Sequence, residues 1–264
     1  MTVQAPKNSF KSRLLAGEVQ LGLWMSLGSA AAAEALSLVG YDWLLFDMEH
    51  APVDPPQMQP LLQAAAAGVS QAVARPPWND PVLIKRTLDV GAQTLLVPFV
   101  QSAEEAAAAV RAAKYPPQGI RGVAGLTRAS RYGLAPDYFA TANAQTCVLV
   151  QIETPAALSR IEEIALTPGV DGVFIGPSDL GASMGHLGRP GTAEVQDAIR
   201  GAADTLRDLQ KPAGILAVSA EDAERYLDWG YSFVAIGIDM SLLLRAAKAR
   251  LDHFTDAMPG NTPG

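Results

Sequence analysis

The chain repeats one short pattern, in which a segment with helical periodicity ends at a glycine and an apolar run begins about two residues later. The pattern occurs at Gly40, Gly68, Gly91, Gly169 and Gly230. Glycine just after a helix accepts the left-handed conformation that ends the helix. A short apolar run bounded by turn signals is typical of a buried parallel strand. Helices that alternate with such strands predict an α/β fold.

The number of apolar runs indicates which α/β fold this is. Eight runs qualify as strands, near 20–25, 43–47, 71–75, 94–98, 147–152, 172–176, 213–217 and 233–237. Eight β-α units in 264 residues match a single-domain (β/α)8 TIM-type barrel that covers 1–264. A doubly wound sheet is the alternative, but it requires a reversal of strand order for which the sequence has no signal. We also predict a last helix over about 240–257 and a disordered tail over 259–264.

Composition excludes several classes of protein. The chain is 49% hydrophobic and carries a formal net charge of -7, so it can bury a large core but has no basic surface for nucleic acid. No apolar stretch approaches the ~20 residues of a membrane span. Residues 1–13 are polar and lack the apolar segment of a signal peptide, so we expect a soluble cytoplasmic protein. The single cysteine, Cys147, lies in an apolar run and is interpreted as a core residue.

Ionisable and polar residues follow several predicted strands. The carboxyl ends of the strands meet at one face of a barrel, where barrel enzymes carry their active sites. The residues expected to converge at this face are Asp47, Glu49, His50, Arg75, Gln151, Glu153, Ser178 and Asp179. The sequence therefore predicts one active site built from strands that are far apart along the chain.

The residue types suggest the roles of this site. Two carboxylates, Glu153 and Asp179, together with waters and a chelating substrate would suit Mg²⁺ or Mn²⁺. The alternative is that both only cap the helices that follow. Arg75 leaves its strand beside Trp78 and is interpreted as an anion or oxyanion binder rather than a structural ion pair. His50 is a candidate functional residue, with a hydrogen-bonded structural histidine as the alternative.

The lysines discriminate between possible mechanisms. None of the six lysines falls at the carboxyl end of a predicted strand. An aldolase that uses a Schiff base needs a lysine in the mouth of the barrel, so that mechanism is not expected. No Gly-x-Gly-x-x-Gly motif follows a strand, so nicotinamide chemistry has no support either.

Seven motifs together resemble the HpcH/HpaI family of class II, metal-dependent pyruvate aldolases, and the resemblance runs over about 21–251. They are LGLW at 21–24, DMEHAP at 47–52, RPPWNDP at 75–81, LDVG at 88–91, YPPQGIRG at 115–122, QIE at 151–153 and GVFIGPSDL at 172–180. The resemblance implies a lyase that reversibly cleaves 4-hydroxy-2-oxo acids to pyruvate and an aldehyde. It implies Mg²⁺, Mn²⁺ or Co²⁺ as the cofactor and these two small molecules as substrates.

The resemblance also implies residue roles. Glu153 and Asp179 would hold the metal, Arg75 would contact the pyruvate keto oxygen, and His50 would be the base with Asp89 as its carboxylate partner. The expected substrate-binding residues are Arg75, Gln151, Ser178, Asp179 and Leu216, where the backbone at 178–179 would hold the pyruvate carboxylate and Leu216 would line the aldehyde side. The family forms homo-hexamers that exchange a terminal helix, so the helix over 240–257 would pack on a neighbouring subunit.

Two departures from the family pattern leave the aldehyde open. Met48 stands where typical members have glycine, and the loop 122–128 is one residue shorter than its counterpart. Both positions are expected near the aldehyde pocket. Two other functions remain as alternatives: a 2-oxo-acid decarboxylase of the oxaloacetate type within the same family, and a binding scaffold without catalytic activity.

Overall fold

Eight parallel strands close into a barrel in the computed structural model, which describes residues 3–256. The strands are β1 Gln20–Met25, β2 Trp43–Asp47, β3 Gln71–Arg75, β4 Thr94–Val97, β5 Cys147–Ile152, β6 Gly172–Ile175, β7 Ala213–Leu216 and β8 Phe233–Ile238. Every strand pairs with the next one along the chain, and β8 pairs with β1. The prediction of a (β/α)8 barrel is confirmed, and the doubly wound alternative is wrong because the strand order never reverses.

Twelve helices are present in residues 3–256. They are α1 Ser9–Leu15, α2 Ala30–Ser37, α3 Pro55–Ala65, α4 Pro81–Asp89, α5 Ala103–Ala113, α6 Tyr138–Gln145, α7 Pro155–Leu158, α8 Ile161–Ala165, α9 Pro177–Ser183, α10 Ala193–Asp208, α11 Ala220–Asp228 and α12 Asp239–Asp256. The side chains of Asp80, Ser102 and Thr154 accept hydrogen bonds from first-turn N–H groups of α4, α5 and α7. These caps explain why the helices begin where they do.

Aromatic side chains fill the inside of the barrel at the end where the strands begin. Phe10 of α1 lies edge-on to Trp43 and to Phe233, with both pairs of ring centroids 6.1 Å apart. Gly22 makes room for the indole of Trp43, since a Cβ at this position would come within 2.1 Å of the ring. Helix α1 therefore closes this end of the barrel and leaves the opposite end open for ligands.

Cys147 belongs to the same interior cluster, as predicted. It has no exposed surface, and burial raises the pKa of its thiol well above the ordinary value. A buried neutral thiol is a packing group and not a nucleophile.

Helix α12 is only partly supported by its own barrel. Its first residue, Asp239, is buried and accepts hydrogen bonds from the backbone N–H groups of Ser26 and Leu27, at 2.9 and 3.2 Å. Further along, several large apolar side chains are exposed, namely Leu242, Leu243, Leu244, Leu251 and Phe254. No helix within residues 3–256 is both long and apolar enough to cross a membrane. The predicted tail over 259–264 lies outside the described residues, and the cytoplasmic location stays a prediction.

Candidate active site

The carboxyl ends of the strands surround a cavity of about 620 Å³. Seven of the predicted residues line it: Asp47, His50, Arg75, Gln151, Ser178, Asp179 and Leu216. Glu153 lies directly behind this lining, since its carboxylate accepts a hydrogen bond from Gln151. Of the residues predicted for the site, the structure brings all but Asp89 together at or directly beside this cavity.

Arg75, the last residue of β3, is locked in place by two carboxylates. Its Nε donates to Asp47 Oδ1 at 2.9 Å and its Nη2 donates to Asp47 Oδ2 at 2.7 Å, while Nη1 lies 2.9 Å from Glu49 Oε2. The guanidinium carbon also lies 4.6 Å from the centroid of the Trp24 ring. An arginine held on both edges and one face has little freedom left to lose when it binds an anion.

Asp47 organises the turn after β2. It is buried, and burial alone would raise its pKa, but the hydrogen bonds and charge of Arg75 outweigh burial and hold the pKa below the ordinary value. Asp47 Oδ1 also accepts from the backbone N–H groups of Glu49 and His50, at 2.9 and 3.3 Å. The ionised Asp47 therefore holds both Arg75 and the backbone that carries His50.

Glu153 is held from two sides. Its Oε1 accepts from Gln151 Nε2 and its Oε2 accepts from the backbone N–H of Phe99, both at 2.8 Å. A Cβ on Gly176 would lie 2.7 Å from Glu153 Cγ, so glycine is needed for the chain directly after β6 to pass this close. The other amide atom of Gln151, Oε1, is buried without a hydrogen-bond partner among the described residues. An acceptor without a donor is what a bound cation would satisfy.

The negative charge around Glu153 also favours a cation. Burial and the neighbouring charges of Glu49 and Asp179 raise the pKa of Glu153 to about 8, against the opposing effect of the Phe99 N–H. Burial likewise raises the pKa of Glu49, even though Arg75 lies beside it. A divalent cation would offset this repulsion and favour the ionised forms.

The donor set fits a weakly held hard cation. Within residues 3–256, no group of three or more His, Cys, Asp or Glu side chains is arranged to hold a metal. Glu153, Asp179 and the free oxygen of Gln151 are nevertheless all oxygen donors of the kind that Mg²⁺ and Mn²⁺ prefer. Magnesium sites often use only one or two carboxylates and take their other ligands from water and substrate. The residues present therefore fit a metal that the substrate helps to hold.

His50 lies at the mouth of the cavity and is exposed. Its backbone N–H is held by Asp47, but its ring makes no hydrogen bond to any residue of the described chain. Within the described part of the chain, nothing therefore supports the alternative of a hydrogen-bonded structural histidine. A free imidazole at the edge of a cavity can accept a proton from a ligand.

The predicted pairing of His50 with Asp89 is wrong within one chain. Asp89 is the last residue of α4, so it lies near the start of β4 and at the opposite end of the barrel from His50. Its Oδ1 accepts from Arg121 Nη2 at 2.7 Å, and Arg121 also stacks on Tyr115. In the single chain, Asp89 is part of a structural ion pair.

Neither departure from the family pattern lies at the cavity. Met48 is buried in the hydrophobic layer between the strands and the outer helices. In the loop 122–128, Arg128 donates to the backbone oxygens of Val90 and Leu62, at 3.0 and 3.3 Å. Val90 directly follows α4, so this loop lies, like Asp89, at the end of the barrel where the strands begin. The expectation that these two positions shape the aldehyde pocket is wrong for one chain.

Sequence reasoning missed the apolar wall of the cavity. This wall consists of Trp24, Phe174, Ile238, Met240 and Leu244. Most of these residues lie at or just after the carboxyl ends of β1, β6 and β8, so the rule that selected the charged residues would also have found them. The site therefore has a charged half, around Arg75 and Glu153, and an apolar half that includes Leu216.

Comparisons with known proteins agree with this geometry. The family model of the HpcH/HpaI aldolase/citrate lyase matches residues 20–246. A protein of Klebsiella pneumoniae named 4-hydroxy-2-oxo-heptane-1,7-dioate aldolase is 55% identical over 94% of this chain and 94% of its own. A pyruvate aldolase of Rhizobium etli is 52% identical over 96% of this chain and 99% of its own.

A solved structure gives the same result. An HpcH/HpaI aldolase/citrate lyase family protein from Burkholderia cenocepacia superimposes with a TM-score of 0.92 at 43% sequence identity. The match covers 94% of this chain and all of that one. The similarity therefore extends over the whole barrel and includes every strand that carries a candidate site residue.

Proposed function

Because the chain belongs to the HpcH/HpaI aldolase/citrate lyase family, we propose that it is a divalent-metal-dependent aldolase, a carbon-carbon lyase. It reversibly cleaves 4-hydroxy-2-oxo acids to pyruvate and an aldehyde. The observation that carries the proposal is the pairing of an acidic, oxygen-lined site at Glu153 and Asp179 with the locked guanidinium of Arg75 in one cavity. Such a site can hold a chelating 2-oxo acid and stabilise the negative charge that develops on it.

The charged half of the cavity suits the pyruvate moiety. A bound Mg²⁺, Mn²⁺ or Co²⁺, held by Glu153 and Asp179, would supply a Lewis acid to the keto and carboxylate oxygens. Arg75 has N–H groups beyond those used by Asp47 and Glu49, and these would donate to the keto oxygen as it becomes an enolate oxygen. The first turn of α9 has no side-chain cap, so the backbone N–H groups of Ser178 and Asp179 are the candidates for the pyruvate carboxylate.

His50 suits the acceptor half. In cleavage, the C3–C4 bond breaks, its electron pair passes to the pyruvate enolate, and the C4 hydroxyl becomes the carbonyl of the aldehyde. The hydroxyl proton must leave, and the unpaired imidazole of His50 at the cavity mouth would accept it. In the reverse reaction, His50 would return the proton to the aldehyde oxygen. The apolar wall with Leu216 would contact the rest of the aldehyde.

Two alternatives differ from the aldolase in what they require. A decarboxylase of 2-oxo acids would use the same charged half but no base for a hydroxyl. A binding scaffold would not need both an unpaired imidazole and a locked guanidinium facing one cavity. Among the described residues, no lysine lines the cavity, which argues against a Schiff-base aldolase.

The metal assignment predicts reversible inactivation. EDTA should remove aldol cleavage, and Mn²⁺, Co²⁺ or Mg²⁺ should restore it, because two carboxylates hold such an ion only modestly. Glu153→Gln and Asp179→Asn should each weaken Mn²⁺ binding at least about tenfold, as measured by electron paramagnetic resonance of the free ion. Glu163→Gln, which changes an exposed carboxylate on α8, should have no effect. Full activity in EDTA, or inactivation by borohydride with pyruvate, would contradict the assignment.

We also propose that the chain forms a homo-hexamer, with α12 packed on a neighbouring subunit. The exposed apolar face of α12 supports this, since Leu243 and Leu251 are 55% and 63% exposed in the single chain. An assembly would also let Asp89 act as the carboxylate partner of His50, because Asp89 can reach a His50 only on another subunit.

The assembly can be tested by light scattering at micromolar concentration. Leu243→Glu combined with Leu251→Glu should lower the measured mass, because two charges would be buried in the interface. Leu166→Glu, at another exposed leucine outside α12, is the matched control and should leave the mass unchanged. A stable monomer of the unchanged protein would contradict the proposal.

A further inference from the structure

Phe99, two residues after the end of β4, has an unusual backbone conformation. Its φ is +52°, in the left-handed region that favours glycine. A phenylalanine in this region is strained, and such strain persists only when surrounding contacts maintain it. Strained residues of this kind cluster at functional sites, and Phe99 lies beside the candidate metal site.

The turn at Phe99 sends two consecutive N–H groups to β5 and the residues that follow it. The N–H of Phe99 donates to Glu153 Oε2 at 2.8 Å, and the N–H of Val100 donates to the Gln151 backbone oxygen at 3.0 Å. Successive N–H groups of an extended chain point in opposite directions, whereas a left-handed residue lets them point to one side. An extended residue at position 99 could not make both donations, so the left-handed conformation of Phe99 is part of what aims a donor at Glu153.

The side chain of Phe99 supplies a contact that can hold the strained turn. Its ring stacks on Trp78, with the centroids 5.6 Å apart and the planes 28° from parallel. Trp78 lies in the loop after β3, three residues beyond Arg75, and Asn79 in the same loop donates to the Glu105 backbone oxygen at 3.0 Å. The stack thus joins a loop that is anchored to α5 with the turn that contacts Glu153.

We propose that Phe99 is a positioning residue for the metal site, where stacking on Trp78 holds a strained turn whose N–H orients the Glu153 carboxylate toward the cation. This rests on the proposed function in one respect, the role of Glu153 as a metal ligand. Partners that hydrogen-bond to a metal ligand fix its orientation and tune the affinity of the site. Neither Phe99 nor Trp78 need touch the metal or the substrate in this role.

The test is the Mn²⁺ affinity of the full chain, measured by electron paramagnetic resonance of the free ion. Phe99→Ala keeps the strain but loses the stack, so affinity should fall about tenfold or more. Phe99→Gly also loses the stack but adopts a positive φ without strain, so it should keep more affinity than Phe99→Ala. Trp78→Ala should resemble Phe99→Ala. Phe139→Ala, at a half-exposed aromatic residue on α6, is the control and should bind Mn²⁺ like the unchanged protein.

The ranking of the Mn²⁺ affinities of the two Phe99 variants distinguishes a positioning role of Phe99 from simple packing of its ring. If the ring only packs, Phe99→Gly should bind Mn²⁺ no better than Phe99→Ala, and that result would overturn the proposal. Unchanged affinity in Trp78→Ala would overturn it too, and this variant tests the link even if Phe99→Ala does not fold. A failure of the metal assignment looks different, because Mn²⁺ would then not bind the unchanged protein or would bind Glu153→Gln equally well. Either of those results would remove the role of Phe99 as well.

Discussion

His50→Ala should suppress cleavage of a 4-hydroxy-2-oxo acid by roughly a hundred- to ten-thousand-fold, the range typical of the loss of a general base. It should leave Mn²⁺ binding and any decarboxylation of oxaloacetate largely intact. Decarboxylation needs only a group that stabilises the enolate, because carbon dioxide leaves without a proton transfer. The experiment is a side-by-side assay of both reactions on this one variant.

The outcome of that assay separates the functions considered for this site. Equal loss of both reactions would mean that His50 holds the pyruvate or the metal site, and loss of neither would contradict its role as a base. His186→Ala is the matched control, because His186 pairs with Glu194 outside the cavity, with Nε2 and Oε2 2.9 Å apart. An unchanged protein that decarboxylates oxaloacetate but cleaves no hydroxy-oxo acid would favour the decarboxylase alternative.

Arg75→Ala should impair every reaction that passes through the enolate. Loss of one strong charge-assisted contact in the transition state should cost about 3–4 kcal/mol, or roughly a hundred- to a thousand-fold in rate. Aldol cleavage and exchange of the pyruvate C3 protons should fall together. If proton exchange survived unchanged, Arg75 would belong to aldehyde binding or to structure instead. Arg75→Lys should be a poor substitute, because an ammonium cannot reproduce the fork that bonds Asp47.

The same substitution should also destabilise the fold. Asp47 and Glu49 would lose their buried partner, which should lower the free energy of unfolding by about 3–5 kcal/mol in denaturant titrations. The pairing with Arg75 lowers the pKa of Asp47, so its stabilisation is present near neutral pH and disappears as the pH falls through the folded-state pKa. The difference in stability between Arg75→Ala and the unchanged protein should therefore shrink in acid.

Two further variants separate the stability effect from the catalytic effect. Arg75→Met combined with Asp47→Asn removes both charges of the pair and should recover part of the lost stability but none of the activity. Arg13→Ala is the surface control, because Arg13 also pairs with two carboxylates, Glu18 and Asp42, but is 37% exposed. It should cost less than about 1 kcal/mol. A comparable loss of stability in Arg13→Ala would contradict the assigned importance of burial at Arg75.

Some of the corrections were within reach of sequence reasoning. Side chains alternate between the two faces of a strand, so a residue directly after Asp47 is expected to face the outer helices, as Met48 does. The helix end before Gly91 likewise indicates that Asp89 lies near the start of β4. Within one chain neither residue reaches the cavity, and the role that the resemblance gives to Asp89 requires a second subunit.

The sequence by itself determined the barrel, the bounds of its strands to within one residue, and the set of charged residues at its open end. These features depend on neighbours along the chain: helix caps, glycines after helices, and short apolar runs. Only the tertiary structure decided which groups meet, namely Arg75 with Asp47 and Glu49, the Phe99 N–H with Glu153, and Arg121 with Asp89. Such contacts join residues from different β-α units, and their geometry depends on strand register, burial and backbone strain, which no local pattern encodes.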